Sequence, residues 1–125
     1  MMDFASIRVI TDDVARLVAF YEKLTGLAAR WGGELFAEIP TPIGTLAIAH
    51  TRSMELFGAG AAHAADNRSV IVEFRVDDVD ARFAALPADV EIVLEPTTQP
   101  WGNRSLLLRD PDGNLVNLFA PVGPA

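Results

Sequence analysis

Near the start of the chain, apolar and polar positions first alternate and then change to a helical spacing. Residues 4–10 alternate as in a strand, with Ile7 and Val9 on one side. Asp12-Asp13 provides an N-cap for a helix, and Gly26 provides its stop. The apolar stripe of that helix consists of Val14, Leu17, Val18, Tyr21 and Leu24. The pattern therefore predicts a strand followed by an amphipathic helix.

Three short strands are predicted after this helix, over residues 27–31, 35–39 and 45–50. The next stretch, 51–68, is rich in alanine and glycine and lacks strand alternation. It predicts a linker with a short helical turn at 54–57, because it is long for a connection within a compact module.

The second half of the chain repeats the order of the first. A strand is predicted over 69–76, Asp77-Asp78 caps a second helix, and Pro87 ends that helix. Its helical positions are Val79, Phe83 and Leu86. The remaining strands are predicted over 90–95, 105–109 and 114–119. Asp110-Pro111-Asp112-Gly113 has the residues of a type I turn, and 123–125 form a tail.

Both halves predict strand–helix–strand–strand–strand, and Asp12-Asp13-Val14 matches Asp77-Asp78-Val79. The predicted fold class is α+β, with two βαβββ modules that form a curved mixed sheet around a cavity. The expected organisation is a single domain over 1–125, with modules at 1–50 and 69–121 and a linker at 51–68. Because a short amphipathic unit cannot cover both faces of its sheet, the helices should cover one face and leave the other for a ligand.

Composition narrows the possible partners. The 125 residues include 10 basic and 17 acidic side chains, for a formal charge of −7, and no cysteine. This balance argues against nucleic acid and anionic membranes, which need basic patches. It favours cationic ligands by steering, although it is equally compatible with acidity that only maintains solubility. The opening residues lack a signal-peptide pattern and no apolar run approaches ~20 residues, so a cytoplasmic protein is expected.

Three stretches of the sequence resemble the vicinal-oxygen-chelate superfamily, which includes glyoxalase I, extradiol dioxygenases and bleomycin-resistance proteins. The first is 13–22 with Gly26, an Asp…Phe-Tyr…Gly helix. The second is Val76-Asp77-Asp78-Val79-Asp80, and the third is 109–119, which contains Asp-Pro-Asp-Gly-Asn before a final apolar strand. The resemblance covers nearly the whole chain and implies the paired-module fold and a homodimer.

Enzymes of this family usually hold one divalent metal with side chains from the first and last strand of each module. The resemblance places these positions at Ser6, Ile71, Ala49 (to within one residue) and Asn117. Since Ile and Ala cannot ligate a metal, and Ser and Asn are weak ligands, no metal and no cofactor are expected. His50 would reach the cavity only if its strand were shifted by one residue.

Arg8 and Glu73 occupy matching positions in the two modules, on the same expected face as Ser6 and Asn117. They predict an ion pair that either anchors a ligand or only fixes how the modules meet. Trp101 lies in a loop between Pro100 and Gly102, where its ring could stack on a ligand. Trp31 and Phe36 offer the same chemistry, with core or interface packing as the favoured alternative. The expected ligand-binding residues are Ser6, Arg8, Ile71, Glu73, Trp101 and Asn117.

These features favour a metal-independent protein that binds a small aromatic or cationic molecule, in the concrete form of sequestering an antibiotic or toxic metabolite. The alternative is a lyase, isomerase or dioxygenase of the same superfamily, with displaced metal ligands or no metal. A second alternative is an interaction module whose cavity is filled by its own side chains. Catalytic residues are not identifiable from the sequence, and the identity of the ligand stays open.

Overall fold

The computed structural model describes residues 1–122, so the tail expected at 123–125 lies outside the described residues. The chain divides into a unit from Met1 to Asp66 and a second unit that begins at Asn67. Each unit contains a four-stranded mixed sheet, in the order β1-β4-β3-β2 and β5-β8-β7-β6. The two βαβββ modules and the α+β class predicted by the sequence are therefore present.

The first unit contains four strands, a long helix and a short helix. The strands are β1 (Ser6–Thr11), β2 (Arg30–Trp31), β3 (Phe36–Pro40) and β4 (Thr45–His50). The helices are α1 (Val14–Thr25) and α2 (Met54–Phe57), with a 3₁₀ turn at Thr51–Ser53 before α2. β1 and β4 run parallel, while β3 is antiparallel to both β4 and β2.

The second unit repeats this arrangement with a single, shorter helix. Its strands are β5 (Val72–Arg75), β6 (Glu91–Thr98), β7 (Asn103–Arg109) and β8 (Leu115–Pro121). Its helix is α3 (Val79–Ala84). β5 and β8 are parallel, and β7 is antiparallel to β8 and β6. Among the described residues, no helix has the length and apolar character that crossing a membrane requires.

Capping residues set the ends of the helices where the sequence predicts them. Asp13 accepts a hydrogen bond from the Arg16 amide at 3.0 Å, and Asp78 accepts one from the Ala81 amide at 3.0 Å. Gly26 ends α1 at φ +73°, a conformation that other residues rarely adopt. The five apolar residues of the predicted stripe of α1 are all buried.

Two strands are shorter than their hydrophobic patterns predict, because side chains take the backbone amides. The strand predicted over 27–31 is reduced to Arg30–Trp31, and the Glu22 carboxylate binds the Ala29 amide at 2.7 Å. The strand predicted over 69–76 is reduced to Val72–Arg75, and the Asn67 side chain accepts from the amides at positions 69 and 70. Such local bonds compete with a strand ladder.

Part of the stretch predicted as a linker packs within the first unit. The helical turn predicted at 54–57 is present as α2. Met54 is buried in a cluster with Ile10 and Ala49, and Ala62 and Ala64 pack against it. The single-domain organisation and the module bounds stay predictions.

The turn between β7 and β8 is held by one buried carboxylate. Asp110 is 4% exposed and accepts bonds of 2.9 Å from the amides of Asp112 and Asn114. Its second oxygen accepts from Asn114 Nδ2 at 2.7 Å, and Asn114 Oδ1 accepts from Asn67 Nδ2 at 3.1 Å. The network therefore joins the start of the second unit to its last hairpin.

Replacing Asp110 with alanine should lower the free energy of unfolding by roughly 2–4 kcal/mol, because buried amide donors lose their acceptor. Urea denaturation measures this change. Asp89→Ala, at an exposed carboxylate, is the matched control and should change stability by less than about 0.5 kcal/mol. Equal effects of the two substitutions would contradict the role given to the network.

A second prediction concerns the ion pair that joins α3 to the sheet. Arg104 donates from Nε and one terminal nitrogen to the two Asp80 oxygens, at 2.7 and 2.8 Å, and also to Thr98 Oγ1 at 3.0 Å. Hydrogen bonding from Arg104 holds the pKa of the Asp80 carboxyl below its ordinary value. The stabilisation is therefore present above the ordinary pKa of about 4, and is lost as the pH falls through the lower pKa of the folded state.

Asp80→Asn should therefore lower the Tm at pH 7, and the difference from the unsubstituted protein should shrink as the pH is lowered from 5 towards 3. Differential scanning calorimetry across this range measures both values. Asp77→Asn makes the same change in charge at an exposed neighbour and should show no such trend. A Tm difference for Asp80→Asn that does not depend on pH would contradict the electrostatic account.

Candidate functional site

In the first unit, the face of the sheet opposite α1 carries a row of charged and small side chains. Arg8 pairs with Ala47, and Ala47 pairs with Glu38, so strand alternation puts these three residues on one face. Ile10 and Ala49 lie one step along the same face, where α2 packs through Met54. Since α1 packs against the other side of β3 and β4, this face is the one expected to serve a ligand.

The Arg8 guanidinium lies against two aromatic rings. Its Cζ atom is 5.3 Å from the ring centre of Phe36 and 4.8 Å from that of Phe57. Contacts of this kind contribute about 0.5–1 kcal/mol each at exposed positions. Phe36 comes from β3, whereas Phe57 comes from α2 and is 68% exposed. The sequence does not reveal this contact, because it depends on how α2 folds back over the sheet.

The carboxylate nearest to Arg8 along this row has another partner. Glu38 lies two strands away from Arg8, and its Oε1 accepts from Arg30 at 3.2 Å. Neighbouring strands are about 4.8 Å apart, so two strand spacings keep Glu38 near Arg30 and away from Arg8. Within residues 1–66, the guanidinium of Arg8 is therefore held by rings rather than by a carboxylate.

In the second unit, the corresponding face carries Glu73 and Asn117. The two residues are register partners on β5 and β8, and Asn117 Nδ2 donates to Glu73 Oε2 at 2.8 Å. The apolar residues Val72, Val116 and Leu118 alternate with them and are buried on the side of α3. The sequence prediction that Asn117 lies close to Glu73 is thus met in the structure.

The orientation of the Asn117 amide leaves one acceptor unused. Because its nitrogen faces the Glu73 carboxylate, its oxygen must point away, since the reverse orientation would bring two acceptors together. This Oδ1 atom is buried and has no hydrogen-bond partner among the residues that the structure describes. An unsatisfied buried acceptor costs about 1–3 kcal/mol, so this atom is suited to a donor supplied by a ligand.

The other predicted ligand residues are at or near the surface. Ser6 lies on the Arg8 face of β1, and Ile71, just before β5, is 45% exposed. Trp101 is 71% exposed in the loop between β6 and β7. The ion pair between Arg8 and Glu73 and the ligand contacts of all these residues stay predictions.

The register corrects one of the positions taken from the resemblance. Asn117 pairs with Glu73 in the second unit, and Ala47 pairs with Arg8 in the first. Because Arg8 and Glu73 occupy matching positions in the two modules, the residue of the first unit that corresponds to Asn117 is Ala47 rather than Ala49. The correction is two residues, which keeps the same face of the strand. It does not change the chemistry, because alanine supplies no ligand atom at either position.

The residues at the family's metal positions do not fit a divalent metal. They offer one hydroxyl, one amide and two hydrocarbon side chains, whereas zinc takes imidazole, thiolate or carboxylate. His50 lies on the opposite face from Ala49, and its Nδ1 accepts from the Arg52 amide at 2.9 Å. Over residues 1–122, no group of three His, Cys, Asp or Glu side chains is placed to hold a metal ion.

The structure also forms an open groove of about 540 Å³ at the start of α1, which the sequence did not predict. Trp31, 46% exposed, lines it together with His50 and Glu34, and its expected packing in the core or at an interface between subunits stays a prediction. Asp12 and Asp13 also line the groove, and one oxygen of each accepts a hydrogen bond, from Thr51 Oγ1 and from the Arg16 amide respectively. These two aspartates therefore support the local fold.

Several solved structures are similar to this chain. A protein of unknown function from Agrobacterium tumefaciens is 25% identical with a TM-score of 0.83, over 96% of this chain and 94% of that chain. A glyoxalase/bleomycin resistance protein/dioxygenase from Nocardioides is 21% identical with a TM-score of 0.79, over 100% and 87%. A glyoxalase/bleomycin resistance protein/dioxygenase family enzyme from Burkholderia phytofirmans is 18% identical with a TM-score of 0.79, over 93% of this chain and 96% of that chain. No curated protein matches the chain.

The family assignment rests on a family model that matches most of the chain. The family model described as Glyoxalase/Bleomycin resistance protein/Dioxygenase superfamily matches residues 3–118, which includes both βαβββ modules. The resemblance carried by the helix-start aspartates and the Asp-Pro-Asp-Gly-Asn turn is thereby confirmed. The chain belongs to the glyoxalase/bleomycin resistance protein/dioxygenase superfamily.

Proposed function

We propose that this protein is a metal-independent binding protein for a small organic molecule, of the type that sequesters an antibiotic or a toxic metabolite. The observation that carries the proposal is the Asn117 amide, whose nitrogen donates to Glu73 Oε2 and whose buried oxygen has no partner within residues 1–122. An acceptor without a partner suits a ligand that donates N–H or O–H groups.

The chemistry of the metal positions supports binding without a metal. Two of the four positions are hydrocarbon side chains, so the family's ligand set is missing in both units. Fold alone does not decide the activity, because members of one fold differ through a few side chains. Arg8, Glu73 and Asn117 are those side chains here, with Ser6, Ile71 and Trp101 as further proposed contacts.

The exposed Trp101 ring supports an aromatic ligand. A flat ring between proline and glycine can stack on a planar molecule or cover a cation. Glu73 would accept a hydrogen bond from an N–H or O–H group of the same ligand. The expected homodimer is also part of the proposal, and sedimentation equilibrium would decide it.

The test is a binding screen of aromatic and cationic antibiotics, followed by Trp fluorescence and calorimetry, in buffer with EDTA and again with added Zn²⁺ or Mn²⁺. We expect saturable binding that is the same in both buffers. Asn117→Ala and Glu73→Gln should each weaken it by about tenfold, which corresponds to the loss of one hydrogen bond to a charged or buried group.

Glu95→Gln, at an exposed glutamate on β6, is the matched control and should leave the affinity unchanged. Binding that appears only with a metal would contradict metal independence. Turnover of a bound compound would favour the alternative of a lyase, isomerase or dioxygenase. Binding that is unaffected by both substitutions would place the ligand elsewhere.

A further inference from the structure

We propose that Arg8 receives the carboxylate of a planar aromatic ligand, and that Phe36 and Phe57 hold its guanidinium ready for it. This inference rests on the proposed binding function and goes beyond it by naming a chemical class of ligand. The net charge of −7 favours cationic ligands, whereas the positive charge of Arg8 favours an anionic one. The inference therefore concerns a local site and not the average field of the chain.

The N–H groups of the Arg8 side chain have no hydrogen-bond partner among residues 1–122, so they are available to a ligand. A guanidinium is planar, and its five N–H groups lie in that plane. Rings at 5.3 and 4.8 Å from Cζ contact the group without taking hydrogen bonds from it. A carboxylate can then approach an edge of the plane and accept two parallel hydrogen bonds, which is the pairing that arginine favours.

Both rings are carried by packed parts of the first unit. The Phe36 ring lies close to Gly32, where a Cβ atom would be 3.2 Å from Phe36 Cδ1, so the glycine makes room for the ring. Phe57 is carried by α2, which is anchored to the sheet by the burial of Met54 against Ile10 and Ala49. Arginine side chains are otherwise mobile, so contacts with two rings reduce the conformational freedom that binding must remove.

The surroundings also provide for the aromatic part of the ligand. Phe57 is 68% exposed, so part of its ring surface is open beside the guanidinium. An aromatic acid places a carboxylate and a flat apolar ring next to each other, which matches an arginine beside an exposed ring. Along the same row, Glu38 bonds to Arg30, so the nearest acid on this face of the first unit is already engaged.

The experiment uses three matched probes: 2-naphthoate, 2-naphthylmethanol and 2-naphthylmethylammonium. Isothermal titration calorimetry measures each affinity on the full-length protein, and ¹⁵N NMR follows the Arg8 Nε–H signal. We expect naphthoate to bind about tenfold more tightly than the neutral probe, and the cation to bind most weakly. The Arg8 signal should shift with naphthoate alone.

Arg8→Met should remove the preference for naphthoate, while Arg8→Lys should keep part of it, because the charge remains and the fork is lost. Phe57→Leu should weaken naphthoate binding by a few fold, since the ring that orients the guanidinium is gone. Arg16→Met, at an exposed arginine on α1, is the matched control and should leave all three affinities unchanged.

The outcomes separate this inference from the proposed function. No naphthoate binding at millimolar concentration, or an unchanged preference in Arg8→Met and Arg8→Lys, would overturn the inference. If the neutral or cationic probe binds as tightly as naphthoate in the unsubstituted protein, the inference fails while small-molecule binding stands. If Arg16→Met lowers naphthoate affinity as much as Arg8→Met, the effect comes from general charge, and the inference fails as well.

Discussion

The parallel pairing of the first and last strand in each unit is the constraint on which the rest of the structure depends. β1 pairs with β4 and β5 pairs with β8, and in each pair the partners point to the same side. Because side chains alternate along a strand, this register decides which residues are buried under a helix and which lie on the opposite face. A shift of one residue would exchange Glu73 for Val72 and bury a carboxylate beneath α3.

The second consequence of the register is chemical. The positions that the resemblance assigns to a metal lie on or next to these same strands, and here they carry Ser6, Ala47, Ile71 and Asn117. Nearby on each strand, the fold supplies charged groups instead: Arg8 between two rings and Glu73 bonded to an amide. The same scaffold therefore presents hydrogen-bonding groups at positions suited to an organic ligand.

Much of the fold could be predicted from the sequence because the signals are local. Asp13, Asp78 and Gly26 set the helix ends by contacts within a few residues, and the 110–113 turn does the same for the last hairpin. The two strands that are shorter than predicted also have a physical explanation. Glu22 and Asn67 bind backbone amides that the hydrophobic pattern had given to strands.

The candidate site was predicted only in part, because its contacts are not local. Glu73 and Asn117 could be placed on one face from the family resemblance, whereas the match of Asn117 with Ala47 needed the observed register. The rings around Arg8 depend on the packing of Met54, which no spacing in the sequence indicates. The unpartnered Asn117 oxygen likewise follows from an amide orientation that only the structure gives.

The most direct test of the central claim, that this chain binds its ligand without a metal, is elemental analysis of protein purified without chelator. Tryptophan fluorescence is then followed as Mn²⁺, Fe²⁺, Ni²⁺ and Zn²⁺ are added in turn. The account predicts no stoichiometric metal and no saturable change in fluorescence. One equivalent of bound metal, lost in Asn117→Ala, would contradict it.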